Sequence, residues 1–304
     1  MLHIHTPLRR DHRSSRETEI FLKLDCYQPS GSFKIRGIGH LCEYEASKGA
    51  ASFVCSSGGN AGLAVAYSGQ ALNLPVHIVV PQTTSQAVRN MLKQLGAKVT
   101  VHGSVWDEAD VYARQLAHDT HAAYIHPFDD PLIWTGHASI IDELQSQVPK
   151  PDLIVCSVGG GGLLCGIMEG LYRNNWQDVD VLAVETEGAA SLQASVQAGA
   201  CVAIPAITSI AKTLGAKMVA QKAFEWTQAH PIHCVQVSDD EAIDACIHIA
   251  DVLRVLVEPA CGAAYAALSL THDALQKAQS IVVIICGGSG VNTDMLIDWK
   301  KQGH

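Results

Sequence analysis

Four signatures are missing from this chain of 304 residues, and each absence removes a class of chemistry. There is no HExxH, and His118 with His121 is the one histidine pair at helical ligand spacing near other polar groups, so no catalytic metal is expected. There is no GxSxG, so no nucleophile elbow is expected. There is no basic block, and the formal net charge is −9, which argues against nucleic acid and anionic membrane as partners. Any anion bound here must be held by local dipoles. No apolar run reaches the roughly 20 residues that span a bilayer.

CxxC is also absent. The ten cysteines are scattered singly from Cys26 to Cys286, several inside apolar runs such as SFVC and IVVIIC, and the chain opens on MLHIHTPLRR without the pattern of a signal peptide. These features predict reduced core thiols in a cytoplasmic protein. What the chain does have is apolar mass: 48% hydrophobic residues and a mean hydropathy of +0.13 predict a well-buried core, at a length that suits two domains or one large one.

Short apolar runs alternate with helical patterns. SFVCS precedes residues 59–72, VHIVV precedes 84–95, KVTVH precedes 104–119 and AAYIH precedes 132–147. In the second half DLIVCSV precedes 162–173, VDVLAVE precedes 189–198, HCVQV precedes 239–252 and IVVIIC precedes a last helix. This alternation predicts parallel sheets with helices on both faces, in two lobes with a cleft between them. HPFDDP, at residues 126–131, is the candidate crossing between lobes.

In open parallel sheets ligands bind beyond the carboxyl ends of strands, so the turns that follow strands carry the most weight. After IFLKL, the residues Pro29, Ser30 and Gly31 predict a turn, Ser32 an N-cap, and Lys34 a place in the first turn of a helix. There the helix dipole and burial both disfavour an ammonium, leaving an amine able to attack an aldehyde. Ser56-Ser57-Gly58-Gly59-Asn60 offers hydroxyls and amides suited to a carboxylate or phosphate. Gly159, Gly160, Gly161 and Gly162 let the backbone close on a phosphate without lysine or arginine. Glu185 ends the next strand, where a dinucleotide fold would place its ribose-binding acid, but Leu164 or Cys165 stands where the third glycine of GxGxxG is needed. Cys286-Gly287-Gly288-Ser289 forms a third glycine-rich turn. Singly, each has a bland counterpart: a solvated lysine, a tight βα turn, a buried thiol, a helix-capping carboxylate.

Together PSGSFKIRG, SSGGN, SVGGGG and CGGS closely resemble the serine dehydratase and serine dehydratase-like group of fold type II pyridoxal-phosphate enzymes, with FDDPLIW, ETEGA, ITSIAKTLGAK and VEPACGAA reinforcing the match. The likeness runs from about His5 through Ser289. It implies a two-lobed fold with the cofactor between a small domain, residues 28–130, and a large one, residues 1–27 and 131–304. It implies that Lys34 carries pyridoxal phosphate and removes the substrate Cα proton, and that Phe33 packs beside the ring. Gly159 through Gly162 would hold the phosphate, and Asn60 the ring hydroxyl. Ser57, Gly58, Gly59 and Asn60 would receive the substrate, Ser57 taking part in its carboxylate binding. Cys286 would face the ring nitrogen, with Ser289 among the cofactor contacts.

A thiol facing that nitrogen leaves it largely neutral, which weakens carbanion stabilisation and favours prompt loss of a β-hydroxyl. The expected reaction is therefore β-elimination from L-serine or L-threonine, giving pyruvate or 2-oxobutanoate and ammonia. Glu185, with backbone oxygens of Gly159, Ala189, Leu214 and Ala216, resembles the group's monovalent cation site and implies potassium. A homodimer follows from the resemblance too. The sequence departs from the group's pattern at Gly290, where asparagine is common, and in a short segment at residues 271–280. The alternatives are a serine racemase or β-replacement synthase of the same fold, a nicotinamide-dependent oxidoreductase, and a silent ligand sensor. The missing third glycine counts against the oxidoreductase and the intact Lys34 against the sensor.

Overall fold

The computed structural model describes residues 1–301. Its strands are β1 (Leu8–Arg10), β2 (Glu19–Lys23), β3 (Phe53–Cys55), β4 (Val76–Val80), β5 (Lys98–Val101), β6 (Ala123–Tyr124), β7 (Leu153–Ser157), β8 (Asp180–Thr186), β9 (Ile232–Val237) and β10 (Ser280–Ile284). Its helices are α1 (Lys34–Ser47), α2 (Asn60–Leu72), α3 (Gln86–Gln94), α4 (Trp106–Thr120), α5 (Pro131–His137), α6 (Ser139–Gln147), α7 (Gly162–Arg173), α8 (Ser191–Ala198), α9 (Gln221–Ala229), α10 (Asp239–Leu253), α11 (Pro259–Ala266), α12 (Asp273–Lys277) and α13 (Thr293–Lys301). They form two compact units, Met1–Ile4 with Gln28–Gly136, and His5–Tyr27 with the chain from His137 onward.

The first unit is built on a parallel sheet in the order β5-β4-β3-β6. Successive side chains of a strand point to opposite faces, and here both faces are covered. Phe53 and Cys55 of β3, with Ile78 and Val80 of β4, join a core with Ile35, Ile38 and Leu41 of α1 and Ala61, Ala64 and Val65 of α2. The intervening Val54 and Val79 turn the other way, onto Ala109, Ala113 and Ala117 of α4. A continuous apolar run is thus what a doubly covered strand requires.

The second unit carries a sheet in the order β1-β2-β10-β7-β8-β9, parallel except for the antiparallel β1–β2 pair. Every residue of β7 is buried. Against this sheet the buried face of α7 presents Leu164, Ile167, Met168 and Leu171. A charged pair is sealed inside as well: Lys23 Nζ donates to Glu143 Oε2 at 2.5 Å and to the Thr6 carbonyl at 2.9 Å, with side chains 0% and 3% exposed.

The structure departs from the sequence expectations in four places. The single helix predicted over residues 132–147 is divided at Ala138 into α5 and α6. The division follows Gly136, a poor helix former, where a Cβ would lie 2.5 Å from the Arg36 carbonyl oxygen. Ser32 does not cap α1: Phe33 holds the cap position in a helical conformation (φ −50°, ψ −22°), and the first turn closes through Ile35 N to Ser32 O and Arg36 N to Phe33 O. β1 breaks the all-parallel pattern. Finally α9, α11 and α12 were not anticipated; α11 is buried on nearly every side and, apart from Tyr265, made of small residues and one proline, so it has no amphipathic stripe to read.

Candidate active site

Lys34 is the first residue of α1 and is half-buried. Its Nζ donates to the Pro127 carbonyl at 2.6 Å and lies 5.2 Å from the centre of the Phe33 ring and 6.0 Å from that of Phe128. The amine is therefore fixed by a backbone acceptor between two aromatic rings. The carbonyl is held in turn by a tight loop, because His126 Nδ1 accepts from the amides of Phe128 (3.2 Å) and Asp129 (2.7 Å). Burial above all, then the Arg114 charge, lowers His126 to about 4, which leaves that nitrogen free to accept near neutrality.

β3 ends at Cys55, and Ser56 to Gly59 lead directly into α2, whose first residue is Asn60. The Gly59 amide donates to Ser57 Oγ at 3.3 Å, and no side chain caps the helix at Gly59. A helix start without a side-chain cap presents a positive dipole end, which suits a carboxylate. The turn depends on Gly62, where a Cβ would fall 1.8 Å from the Ser57 carbonyl oxygen. At Gly58 a Cβ would meet Thr84 Cγ2 at 2.8 Å and Val80 Cγ1 at 3.0 Å, so a neighbouring side chain already fills that volume.

In the second unit β7 runs through Val158 into the glycines. Gly161 takes φ +88° as the cap residue of α7, with no side chain capping it, and a Cβ there would sit 2.5 Å from that of Ala223. The amides of Gly159, Gly160 and Gly161 find no acceptor among the described residues. Cys286, 3% exposed, brings its Sγ to 3.6 Å from Ser157 Oγ and 3.5 Å from Cys261 Sγ. Cys261, pushed up by burial and by Cys286, remains a thiol; its sulfur donates to the Gly287 carbonyl at 2.9 Å and accepts from the Gly287 amide at 3.1 Å. Ser289 follows in the same turn.

Glu185 is 1% exposed, and its two oxygens accept from the amides of Leu192 and Gln193, each at 2.8 Å, at the start of α8. Burial outweighs these bonds and raises its carboxyl to about 7. A Cβ on Gly159 would lie 3.0 Å from Leu214 Cα, so those two backbones are close; Ala189 and Ala216 donate their amides to Thr186 and Leu214. Among the described residues no group of three or more histidine, cysteine, aspartate or glutamate side chains is arranged to hold a metal ion. His121 closes α4 in a left-handed conformation, and His118 contacts Asp119 on the surface.

The first unit thus gathers Phe33, Lys34, Ser57, Gly58, Gly59 and Asn60, and the second gathers the glycine run, Cys286 and Ser289. Sequence reasoning missed the Pro127 carbonyl, Ser157 and Cys261. A backbone acceptor leaves no mark on residue type, and the two side chains look like ordinary strand and helix residues.

One α/β unit thus carries a fixed amine, and the other a glycine run whose amides have no acceptor among the described residues. The chain belongs to the family described as pyridoxal-phosphate dependent enzymes, whose model matches residues 1–287. Over 313 residues it is 49% identical to the L-serine dehydratase/L-threonine deaminase of Homo sapiens, covering 99% of this chain and 95% of that protein. It is similar to the crystal structure of a fungal L-serine ammonia-lyase from Rhizomucor miehei, with TM-score 0.92 and 38% identity over 99% of each chain. Maize serine racemase gives a TM-score of 0.90 at 25% identity, over 99% of this chain and 93% of that one. The residues here fit the cofactor: three amides without acceptors precede a twelve-residue helix, and Lys34 offers its amine.

Proposed function

We propose that this chain is an L-serine/L-threonine ammonia-lyase, removing the β-hydroxyl and amino group to give pyruvate or 2-oxobutanoate and ammonia. The observation that carries this reading is Lys34, a half-buried amine fixed by a carbonyl in the same unit as the uncapped start of α2. The likeness to serine dehydratases over nearly the whole chain supports it.

Pyridoxal phosphate, when bound, supplies the electron sink that acidifies the substrate Cα–H bond. The residues do the rest. Gly159, Gly160 and Gly161 would hold the phosphate through their amides, with Gly162 beginning the helix behind them. Asn60 would bond the ring hydroxyl, Phe33 would pack beside the ring, the Cys286 side chain would face the ring nitrogen, and Ser289 would be among the cofactor contacts. Ser57, Gly58 and Gly59 receive the substrate carboxylate and orient the Cα–H bond toward Lys34 Nζ, which takes the proton. Gly58 offers no hydroxyl to return a proton on the opposite face, and that favours elimination over racemisation.

The reading extends to a potassium ion held by Glu185 and the carbonyls of Gly159, Ala189, Leu214 and Ala216, supported by the approach of Gly159 to Leu214. It extends to a small lobe at residues 28–130, and to a cytoplasmic homodimer by likeness to the group. The decisive experiment supplies L-serine and L-threonine to the purified protein and follows 2-oxo acid, ammonia and the visible cofactor band. Lys34→Ala should lose the band after desalting and release no ammonia; a variant that keeps both overturns the reading. Exchanging potassium for a bulky organic cation at equal ionic strength should slow the native protein. Equal rates remove the cation.

A further inference from the structure

Asp110 lies outside the expected set, on α4, and is 8% exposed. Its Oδ1 accepts from Ser56 Oγ at 2.6 Å and from the Tyr124 hydroxyl, and its Oδ2 accepts from Arg114 Nε at 2.7 Å. Ser56 Oγ and the Tyr124 hydroxyl are themselves 3.1 Å apart, and the Arg114 guanidinium lies 4.3 Å above the Tyr124 ring. Burial pushes the Asp110 carboxyl up, but the bonds from Ser56, Tyr124 and Arg114 outweigh it and hold the group below its usual range. Burial and the same bond to Asp110 keep the proton on Tyr124. A single carboxylate anion therefore organises three donors.

Two of those donors, Ser56 and Tyr124, sit at the ends of two adjacent strands, and the third, Arg114, is on α4 itself. β3 and β6 pair in parallel, and Ser56 follows the last residue of β3 while Tyr124 is the last residue of β6. Beyond Ser56 lie Ser57, Gly58, Gly59 and Asn60. Beyond Tyr124 lie Ile125, His126 and the Pro127 carbonyl that holds Lys34. Burying an ionised carboxylate costs more than burying an apolar side chain unless hydrogen bonds and a counter-charge offset it, as Ser56, Tyr124 and Arg114 do for Asp110. Here it joins the two chain segments that carry the amine's acceptor and the carboxylate-receiving turn.

We propose that Asp110 is a positioning residue which, through Ser56 and Tyr124, sets the Ser57–Asn60 turn in register with the carbonyl that fixes Lys34. The proposal rests on the functional reading of Lys34 and Ser57 given above. Arg114 completes the device by neutralising Asp110 from the surface side, its own side chain being half exposed.

The test compares the intact holoenzyme with Asp110→Asn, Ser56→Ala, the double variant and Asp119→Asn, a surface control on the same helix. It measures kcat and KM for L-serine, thermal midpoints, and amide hydrogen exchange of residues 55–60. Loss of a charged hydrogen bond should raise KM about tenfold or more in each single variant. Exchange should quicken at residues 55–60 but not along α4. Because Asp110 acts through Ser56, the double variant should be no worse than about the weaker single. Effects that multiply, or a KM equal to that of the control, overturn the proposal. So does a loss of protection spread over the whole first unit with a lowered midpoint, which marks a merely structural carboxylate. If Asp110→Asn does not fold, Tyr124→Phe removes one of the donors and must still raise KM, or the proposal fails. A native protein that makes no 2-oxo acid refutes the functional reading alone, and the exchange data still decide the role of Asp110.

Discussion

At the scale of single residues, Gly58 shows how the emptiness of one position is created by another. The absence of a side chain there is matched by Thr84, whose methyl would stand 2.8 Å from an added Cβ. Gly58→Ser, the change that would offer a proton donor on the face opposite Lys34, must first turn Thr84 aside. Overpacking of this kind costs about 1–3 kcal/mol. The expected outcome is a destabilised Gly58→Ser whose urea midpoint is largely restored by adding Thr84→Ala. The native chain should give pyruvate from L-serine without D-serine, and the double variant should be the first to make any. A Gly58→Ser protein as stable as its parent would mean that Thr84 does not fill the site.

At the scale of elements, the loop after β6 makes a prediction about acid. His126 is held at about 4 in the fold by burial and by the Arg114 charge, with Asp110 opposing and Lys34 adding, against about 6.5 when unfolded. Because the folded value is the lower, the unfolded chain takes up the proton first. Stability from this group is present above pH 6.5 and is lost as pH falls toward 4. Thermal midpoints measured across that window should fall in the native protein and fall less in His126→Asn, which keeps an acceptor for the Phe128 and Asp129 amides. Parallel slopes would exclude His126 as the cause. Much of this architecture was legible in sequence where two signals coincided, as at β7 and α7, with an apolar run, four glycines and an amphipathic repeat in succession. It was illegible where none did. β1 is three residues, Leu8–Arg10, with two exposed arginines and no alternation. Asp110 reads as one more acid on a helix, and Pro127 acts through its carbonyl, which residue type does not encode. Ser32 carried the right signal for a cap and was displaced by the helical conformation of Phe33.

At the scale of the whole molecule, stability depends on a charge pair that neither burial pattern nor motif announced. Lys23 and Glu143 are both sealed in the second unit, so Lys23→Met should remove the cation that Lys23 supplies to a buried carboxylate and cost about 3–5 kcal/mol. Equilibrium unfolding in urea measures the loss, and Lys23→Met with Glu143→Leu should recover most of it; an unchanged midpoint for the single variant would show the pair to be neutral. The strand that ends in that lysine also sets a timetable. β2 pairs with β1 on one side and with β10 on the other, Ile20 opposite Ile281. The sheet β5-β4-β3-β6 is complete in sequence by Tyr124, whereas the sheet containing β2 lacks its central partner until Ile284 has been translated. During synthesis the first unit has all its strands early. The first two strands of the second wait with an open edge until β10 has been made.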